Sequence, residues 1–314
     1  MAEATRKDDA PSRWERFGDS DLGYAFLHSP TAIICLTLVL SIIAMAALAP
    51  WIAPQDLRIP GGVDLMNGFT PPLSRNEFTG EYFLLGADDQ GRDILSAMLF
   101  GARASLTVGI AAVALSASIG VTLGLIAGYA GGWIGALIMR MADVQLAIPS
   151  MLVALLIFGL TRSLLPSGMR DAMAIYVVIL AIGLSDWVSY ARTVRGAAMV
   201  EMRREYVQAA EMMGRPASAI LRRHLLPNVA RPILVISTIN FALAVIAEST
   251  LSYLGAGLPL TQPSLGTLIR VGQGFLLSGE WWILTFPALL LLTLALSINL
   301  LGDWLRDTLN PKGR

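Results

Sequence analysis

Charged side chains are scarce in this sequence of 314 residues: Asp, Glu, Lys and Arg together make only 15%, against 55% apolar residues. A water-soluble fold of this length needs about a quarter of its residues charged to cover its surface, so a soluble globular protein is excluded. Cysteine is nearly absent. Cys35 is the only one, which rules out a disulfide scaffold, and within its apolar run it reads as a small hydrophobe. Lysine occurs only as Lys7 and Lys312. A phosphate-cradling loop needs Gly-x4-Gly-Lys-Ser/Thr, so the chain is not expected to hydrolyse ATP. The two histidines, His28 and His224, have no His or Cys at ligand spacing, which leaves no metal site. Gly-x-Ser-x-Gly and His-Glu-x-x-His are missing too, and with them a nucleophile or metal-bound water for intramembrane hydrolysis. Net charge is zero, so no overall field points to nucleic acid.

What the chain has instead is long hydrophobic runs. Six stretches approach the roughly 20 residues that a helix needs to cross a bilayer: Thr31–Ala53, Ser105–Tyr129, Gly135–Leu160, Ala172–Tyr190, Pro232–Leu254 and Ile283–Leu301. Backbone groups in hydrocarbon must pair internally, so each is expected as a continuous helix. The first is longer than a cleavable signal peptide, with the flank Ala46-Ala47-Leu48-Ala49 keeping a cleavable alternative open. Placing the N-terminus inside puts sixteen of the 23 basic residues on the cytoplasmic side and seven outside, which orients the chain with both termini in the cytoplasm. The expected organisation is an arm over 1–30 (with Trp14, Phe17 and Phe26 packed outside the core), a first span over 31–53 and an outer loop over 54–104. A core over 105–303 contains the inner loop 191–231, and a tail covers 304–314.

That inner loop has its own pattern. Met202, Tyr206, Ala209, Ala210 and Met213 recur at helical spacing. Gly214 suits the left-handed residue that closes a helix, and Pro216 suits the start of the next. Ile220, Leu221, Leu225 and Leu226 give the second helix an apolar face, which Pro227 is expected to stop. A bracket of two short helices follows, either resting on anionic lipid or docking into a protein groove. Small Ala209 and Ala210, and the acidic Glu201, Glu205 and Glu211, favour the groove.

Gln208-Ala209-Ala210, then Gly214, then Leu226-Pro227 resembles the EAA loop of ABC-importer membrane subunits, with Gln208 for the family's Glu and His224 for its Ile. Further stretches are similar to peptide and nickel permeases. They are Leu85-Gly86-Ala87-Asp88-Asp89-Gln90-Gly91-Arg92-Asp93 with Gly101-Ala102-Arg103, Arg140 to Asp143 with Ile148-Pro149, and Arg223 to Asn228. Glu248 to Gly255 and Asn299 to Arg306 complete the set; Leu265-Gly266 departs from the usual Trp-Gly. Together they resemble the C-type permease of dipeptide, oligopeptide or nickel importers.

The resemblance implies an all-α integral membrane protein with six transmembrane helices, the type I importer permease fold and cytoplasmic coupling helices, in a bacterial inner membrane. It implies as partners a second, B-type permease, two cytoplasmic ATP-binding subunits that hold ATP and Mg, and an extracytoplasmic solute-binding protein, with lipid around them. The implied cargo is a peptide; nickel chelates, glutathione and oligosaccharides are alternatives within the class. A secondary transporter or channel leaves the bracket without a role. Glu205, Gln208, Ala209, Ala210, Gly214, Arg215 and Pro227 are the candidates for ATPase coupling. Arg140, Asp143, Asp186, Glu248 and Ser252 are candidates for the path or its gate, although Arg140 and Asp143, i and i+3, also suit a local ion pair. Asp186 and Arg192 are candidates for a cytoplasmic network. Glu248 either lines the path or caps a neighbouring helix. Asp88, Asp89, Arg92 and Asp93 are candidates for binding-protein contact or parts of a folded plug. Gly120, Gly124 and Gly128 form a close-contact face toward this chain or a partner permease.

Overall fold

A computed structural model describes residues 21–57 and 63–309. The arm residues Trp14 and Phe17, the Pro60-Gly61-Gly62 turn and the last five residues lie outside them. A short helix, α1 (Asp21–Leu27), leads into α2 (Pro30–Ile52), where the Ser29 hydroxyl accepts from the Ala32 N–H and Pro30 fills the first turn. The free face of α2 is mostly aliphatic, with Ile34, Leu40 and Leu48 exposed, as a lipid-facing helix requires, and the Thr37 hydroxyl on it donates back to the Ile33 carbonyl.

The next helix, α3 (Ile94–Ala130), starts eleven residues before the expected Ser105. The cause is Asp93, whose carboxylate accepts from the Ser96 N–H at 2.8 Å and nucleates the helix ahead of the apolar run. At about 1.5 Å per residue α3 is roughly 55 Å long, well beyond the ~30 Å hydrocarbon core. Gly120, Gly124 and Gly128 on it face α6 (Ala174–Glu201) of the same chain. A Cβ on Gly120 would sit 2.3 Å from the Trp187 carbonyl oxygen, and one on Gly124 2.7 Å from that of Ala191.

The third span is not the continuous helix expected over Gly135–Leu160. It is two helices, α4 (Gly132–Leu146) and α5 (Ser150–Leu164), bent by 93° at the break. Pro149 lacks the N–H that a helix would use there and pushes Ile148 out of the helical region. Among the described residues there are therefore five unbroken spans, or six with the bent pair counted as one.

From α6 the chain enters the bracket, α7 (Glu205–Met212) and α8 (Ala217–Ile220), then α9 (Leu226–Tyr253). A short α10 (Leu265–Gln273) and a last span, α11 (Trp282–Leu309), complete it. Phe26 stacks edge-on against Trp304 at 5.6 Å, which puts α1 and the end of α11 at the bracket end.

At the other end the segment between α2 and α3 folds into a small domain around a two-residue hairpin, β1 (Ser74–Arg75) and β2 (Tyr82–Phe83), in antiparallel register Ser74 to Phe83. Asn76 organises it, donating to the Met66 carbonyl (2.9 Å) and the Thr70 hydroxyl (2.8 Å) and accepting from the Phe78 N–H (2.8 Å). Trp282 anchors it to α11 by donating from Nε1 to the Ala87 carbonyl at 3.2 Å. Gly86, at φ +86°, is where that indole lies too close for any side chain.

Candidate functional site

The bracket is built from two kinds of residue. Val207, Ala210, Ile220 and Leu225 are buried and pack with Leu125, Val194, Ala198 and Val229, which clamps both arms to α3, α6 and α9. Glu205, Gln208, Ala209, Gly214 and Arg215 face outward. Met212 and Met213 are exposed at the turn, at 83% and 71%. The inward stripe is therefore not the expected one: Val207 replaces Tyr206 and Met213. An eight-residue helix is too short for periodicity to separate adjacent faces, and the anchor that decides, the α3–α6 surface, lies far off in sequence.

Gly214 closes α7 in the left-handed conformation, φ +70°. Its N–H donates to Glu211 at 2.9 Å and the Arg215 N–H reaches back to the Ala210 carbonyl at 3.2 Å, the paired bonds of a Schellman turn. Nothing lies within 4 Å of where its Cβ would be, so only the backbone, not space, demands glycine.

Pro227 does not stop the second arm. It occupies the first turn of α9, and the arm runs into that helix through a π turn over Leu221–Leu225, closed by the Leu226 N–H on the Leu221 carbonyl. Proline has no N–H for the carbonyl four residues back and its ring crowds it. The wider turn takes up that misfit, so the helix continues.

Tyr206 ties the bracket to its roots. Its hydroxyl donates to the Glu201 carboxylate at the end of α6. Asn228, on α9, donates from Nδ2 to that hydroxyl at 2.8 Å and to the His224 carbonyl at 2.7 Å. Beside this link lies an open cleft of about 870 Å³, walled by Arg203, Arg204, Glu205 and Arg231 among others. Burial, and then the Glu201 carboxylate, push the Tyr206 phenol up to about 12, so it stays a donor at neutral pH.

The other candidates are dispersed. Asp143 does not pair with Arg140; it pairs with Arg192, across from α4 to α6. The bend at Pro149 carries α4 against α6, which brings that guanidinium closer than the one a turn away. Arg140 is exposed and makes no ion pair among the described residues. Asp186 is half-buried on α6, and Arg192 faces Asp143 rather than it. Gln145, which the sequence reading passed over, staples the same two helices. It donates to the Leu184 and Ser185 carbonyls (2.9 and 2.8 Å) and accepts from the Trp187 indole (2.7 Å). An amide inside an apolar helix was the available signal.

Glu248 is wholly buried. Its carboxyl accepts from Ser105 on α3 (2.6 Å), from Ser252 one turn on (2.7 Å) and from Ser249 (3.4 Å). Ser105 in turn accepts from the Leu265 N–H at 3.3 Å, in the first turn of α10. Glu248 thus joins three elements and, through Ser105, caps α10. Neither it nor Ser252, 1% exposed, lines an open surface of this subunit.

Asp88, Arg92 and Asp93 are also turned inward, at 2%, 6% and 4% exposure. Arg92 Nε meets Asp88 at 2.6 Å and Nη1 donates to the Leu260 carbonyl at 3.3 Å, while Asp93 is the cap of α3. These three side chains are turned into the subunit and bond to its own groups, which is the arrangement of a folded plug rather than of an exposed patch. Asp89 is half-buried, and burial, reinforced by the Asp88 charge, raises its carboxyl above the ordinary range. Among the described residues no cluster of His, Cys, Asp or Glu could hold a metal ion.

The sequence matches two protein families. Residues 120–314 match the family described as binding-protein-dependent transport system inner membrane component, and residues 21–72 the N-terminal TM domain of oligopeptide transport permease C. A di/tripeptide transport system permease protein of Pseudomonas aeruginosa is 36% identical, with 92% of this chain and 90% of that one covered. A dipeptide transport system permease protein of Haemophilus influenzae is 36% identical over 92% of this chain and 93% of its own. An oligopeptide transport system permease protein of Bacillus subtilis is 35% identical, covering 92% of this chain and 88% of that one.

Proposed function

This chain belongs to the binding-protein-dependent inner-membrane transport permeases, in their C-type branch, and from that premise we propose that it forms half of an ATP-driven path for di- and oligopeptides. The other half is a B-type permease, the motor a pair of cytoplasmic ATPases that bind ATP and Mg, and the donor an extracytoplasmic solute-binding protein. The bracket end faces the cytoplasm; the concentration of arginine around it supports that orientation.

One observation carries the coupling role. The outward tip of the bracket pairs small residues, Ala209 and Gly214, with two exposed methionines, while its inner face is locked by four buried aliphatic residues. A surface helix meant for lipid would turn its apolar side to the membrane; here that side is consumed by the protein and the tip is free for a groove. Glu205, Gln208 and Arg215 supply polar contacts around it, and Pro227 lies at the root of the second arm.

The test is a cysteine at Met212 in the assembled complex, since the native Cys35 is buried. Crosslinks from that position are expected to run to a nucleotide-hydrolysing subunit. Peptide uptake into proteoliposomes is expected to require ATP inside the compartment that holds the bracket. Uptake that proceeds without nucleotide, or crosslinks that capture only lipid, overturn the proposal.

A further inference from the structure

A groove of about 460 Å³ opens where α6, α9 and α11 converge at the bracket end. Its mouth carries Arg231, near the start of α9, and Arg306, in the last turn of α11. Both are exposed, and neither forms an ion pair among the described residues, although Asp303 and Asp307 flank Arg306 on its own helix. Below the mouth the walls are aliphatic, with Val235, Ile236 and Ile239 lining the descent and Leu309 the rim. From Arg231 to Ile239 is about 12 Å along the helix axis. Trp304, held by Phe26, sits beside Arg306 on the same end, at the level where aromatic rings mark the membrane interface.

We propose that this groove is a binding site for an anionic phospholipid, with the phosphate between Arg231 and Arg306 and one acyl chain along Val235, Ile236 and Ile239. The two halves of the groove require opposite things of an occupant. Two unpaired guanidinium groups call for a phosphate-like anion, for which their planar donor arrays are suited. The aliphatic floor calls for hydrocarbon. A free phosphate satisfies the first and leaves the second empty; a neutral lipid does the reverse. Basic pockets between helices at the cytoplasmic boundary suit anionic headgroups on the same electrostatic grounds. Arg231 also walls the charged cleft beside Tyr206, so the headgroup lies next to the root of the bracket. The inference needs only that the chain spans a bilayer and stands apart from the coupling role proposed for the bracket.

The complete importer, reconstituted in nanodiscs of phosphatidylcholine with or without phosphatidylglycerol, tests it by native mass spectrometry of the lipid retained on release. Wild type is expected to retain phosphatidylglycerol. The double variant Arg231→Gln/Arg306→Gln is expected to retain it on the order of thirtyfold more weakly, each cation near the membrane surface contributing about fivefold. Arg231→Lys/Arg306→Lys keeps the charge and is expected to keep much of the retention. Ile236→Trp fills the floor with both arginines intact and is expected to reduce phosphatidylglycerol without affecting assembly, which covers the case of a double variant that does not assemble. Equal retention in wild type and Ile236→Trp overturns the proposal. So does displacement of the lipid by inorganic phosphate alone, or occupation of the groove by a segment of a partner subunit.

Discussion

Ser105 and Glu248 are separated by 143 positions, yet the serine hydroxyl donates to the carboxyl at 2.6 Å with no solvent in reach of either. The same hydroxyl accepts the Leu265 N–H, so one small side chain links α3, α9 and the start of α10.

Removing either partner leaves a buried polar group without its match. Ser105→Ala is expected to cost about 1–3 kcal/mol, the range for orphaning a buried hydrogen-bonding group. Glu248→Ala is expected to cost more, because three serine hydroxyls lose their acceptor and a cavity opens. Glu248→Gln, which keeps an acceptor oxygen, should fall between wild type and Glu248→Ala. Thermal denaturation of the purified complex orders the variants. The double variant Ser105→Ala/Glu248→Ala is expected to be clearly less destabilised than the sum of the singles; strict additivity contradicts the link.

At Gly214 the expected penalty is conformational only. With nothing near its Cβ position, Gly214→Ala should cost on the order of 1 kcal/mol from the left-handed backbone. Gly214→Asn should cost less, since asparagine tolerates that region. Gly214→Val is expected to insert and assemble normally but to abolish substrate-stimulated ATP hydrolysis, because a β-branched residue reopens the turn and misaims the tip. Normal stimulation in the valine variant removes the turn from the coupling mechanism.

Asp89 makes a pH-dependent prediction. Its carboxyl ionises less readily in the fold than in the unfolded chain, from burial first and the Asp88 charge second, with Arg92 opposing. The folded state therefore holds the proton to higher pH, and stability falls as pH rises from the ordinary value of 3.8 through the raised one. Oδ1 of Asp89 also lacks a hydrogen-bond partner. Asp89→Asn should melt higher than wild type at about pH 7, with the advantage shrinking toward about pH 4. A variant less stable at neutral pH shows that attraction to Arg92 outweighs the burial cost.

The features that sequence reasoning reached are those whose cause is local. Gly214 and Pro216 were legible because each constrains its own backbone, and the spans because hydrocarbon demands length. Gly120 and Gly124 were legible as a contact face but not as to whose, and the structure settles them against Trp187 and Ala191 of the same chain. Pro149 and Pro227 carry the same chemistry and have opposite outcomes. One breaks a span by 93°, and the other is absorbed by a π turn. What separates them is the packing on either side, which no short window contains. Asp143 failed in the same way, since a neighbour at i−3 was visible and Arg192 was not. The acidic and basic residues from Asp88 to Asp93 fit a contact surface and a folded plug equally well in the sequence, because charge alone does not say which way a loop turns it. Their burial follows from a loop fold that depends on Asn76 and Trp282.

The π turn leaves the backbone unbroken from Ala217 to Tyr253, a rod of 37 residues. Its near end is an arm of the bracket and its far end holds Glu248, clasped by Ser105. No joint separates the two, so the bracket and the serine clasp share one rigid body, and neither can be tilted without loading the other.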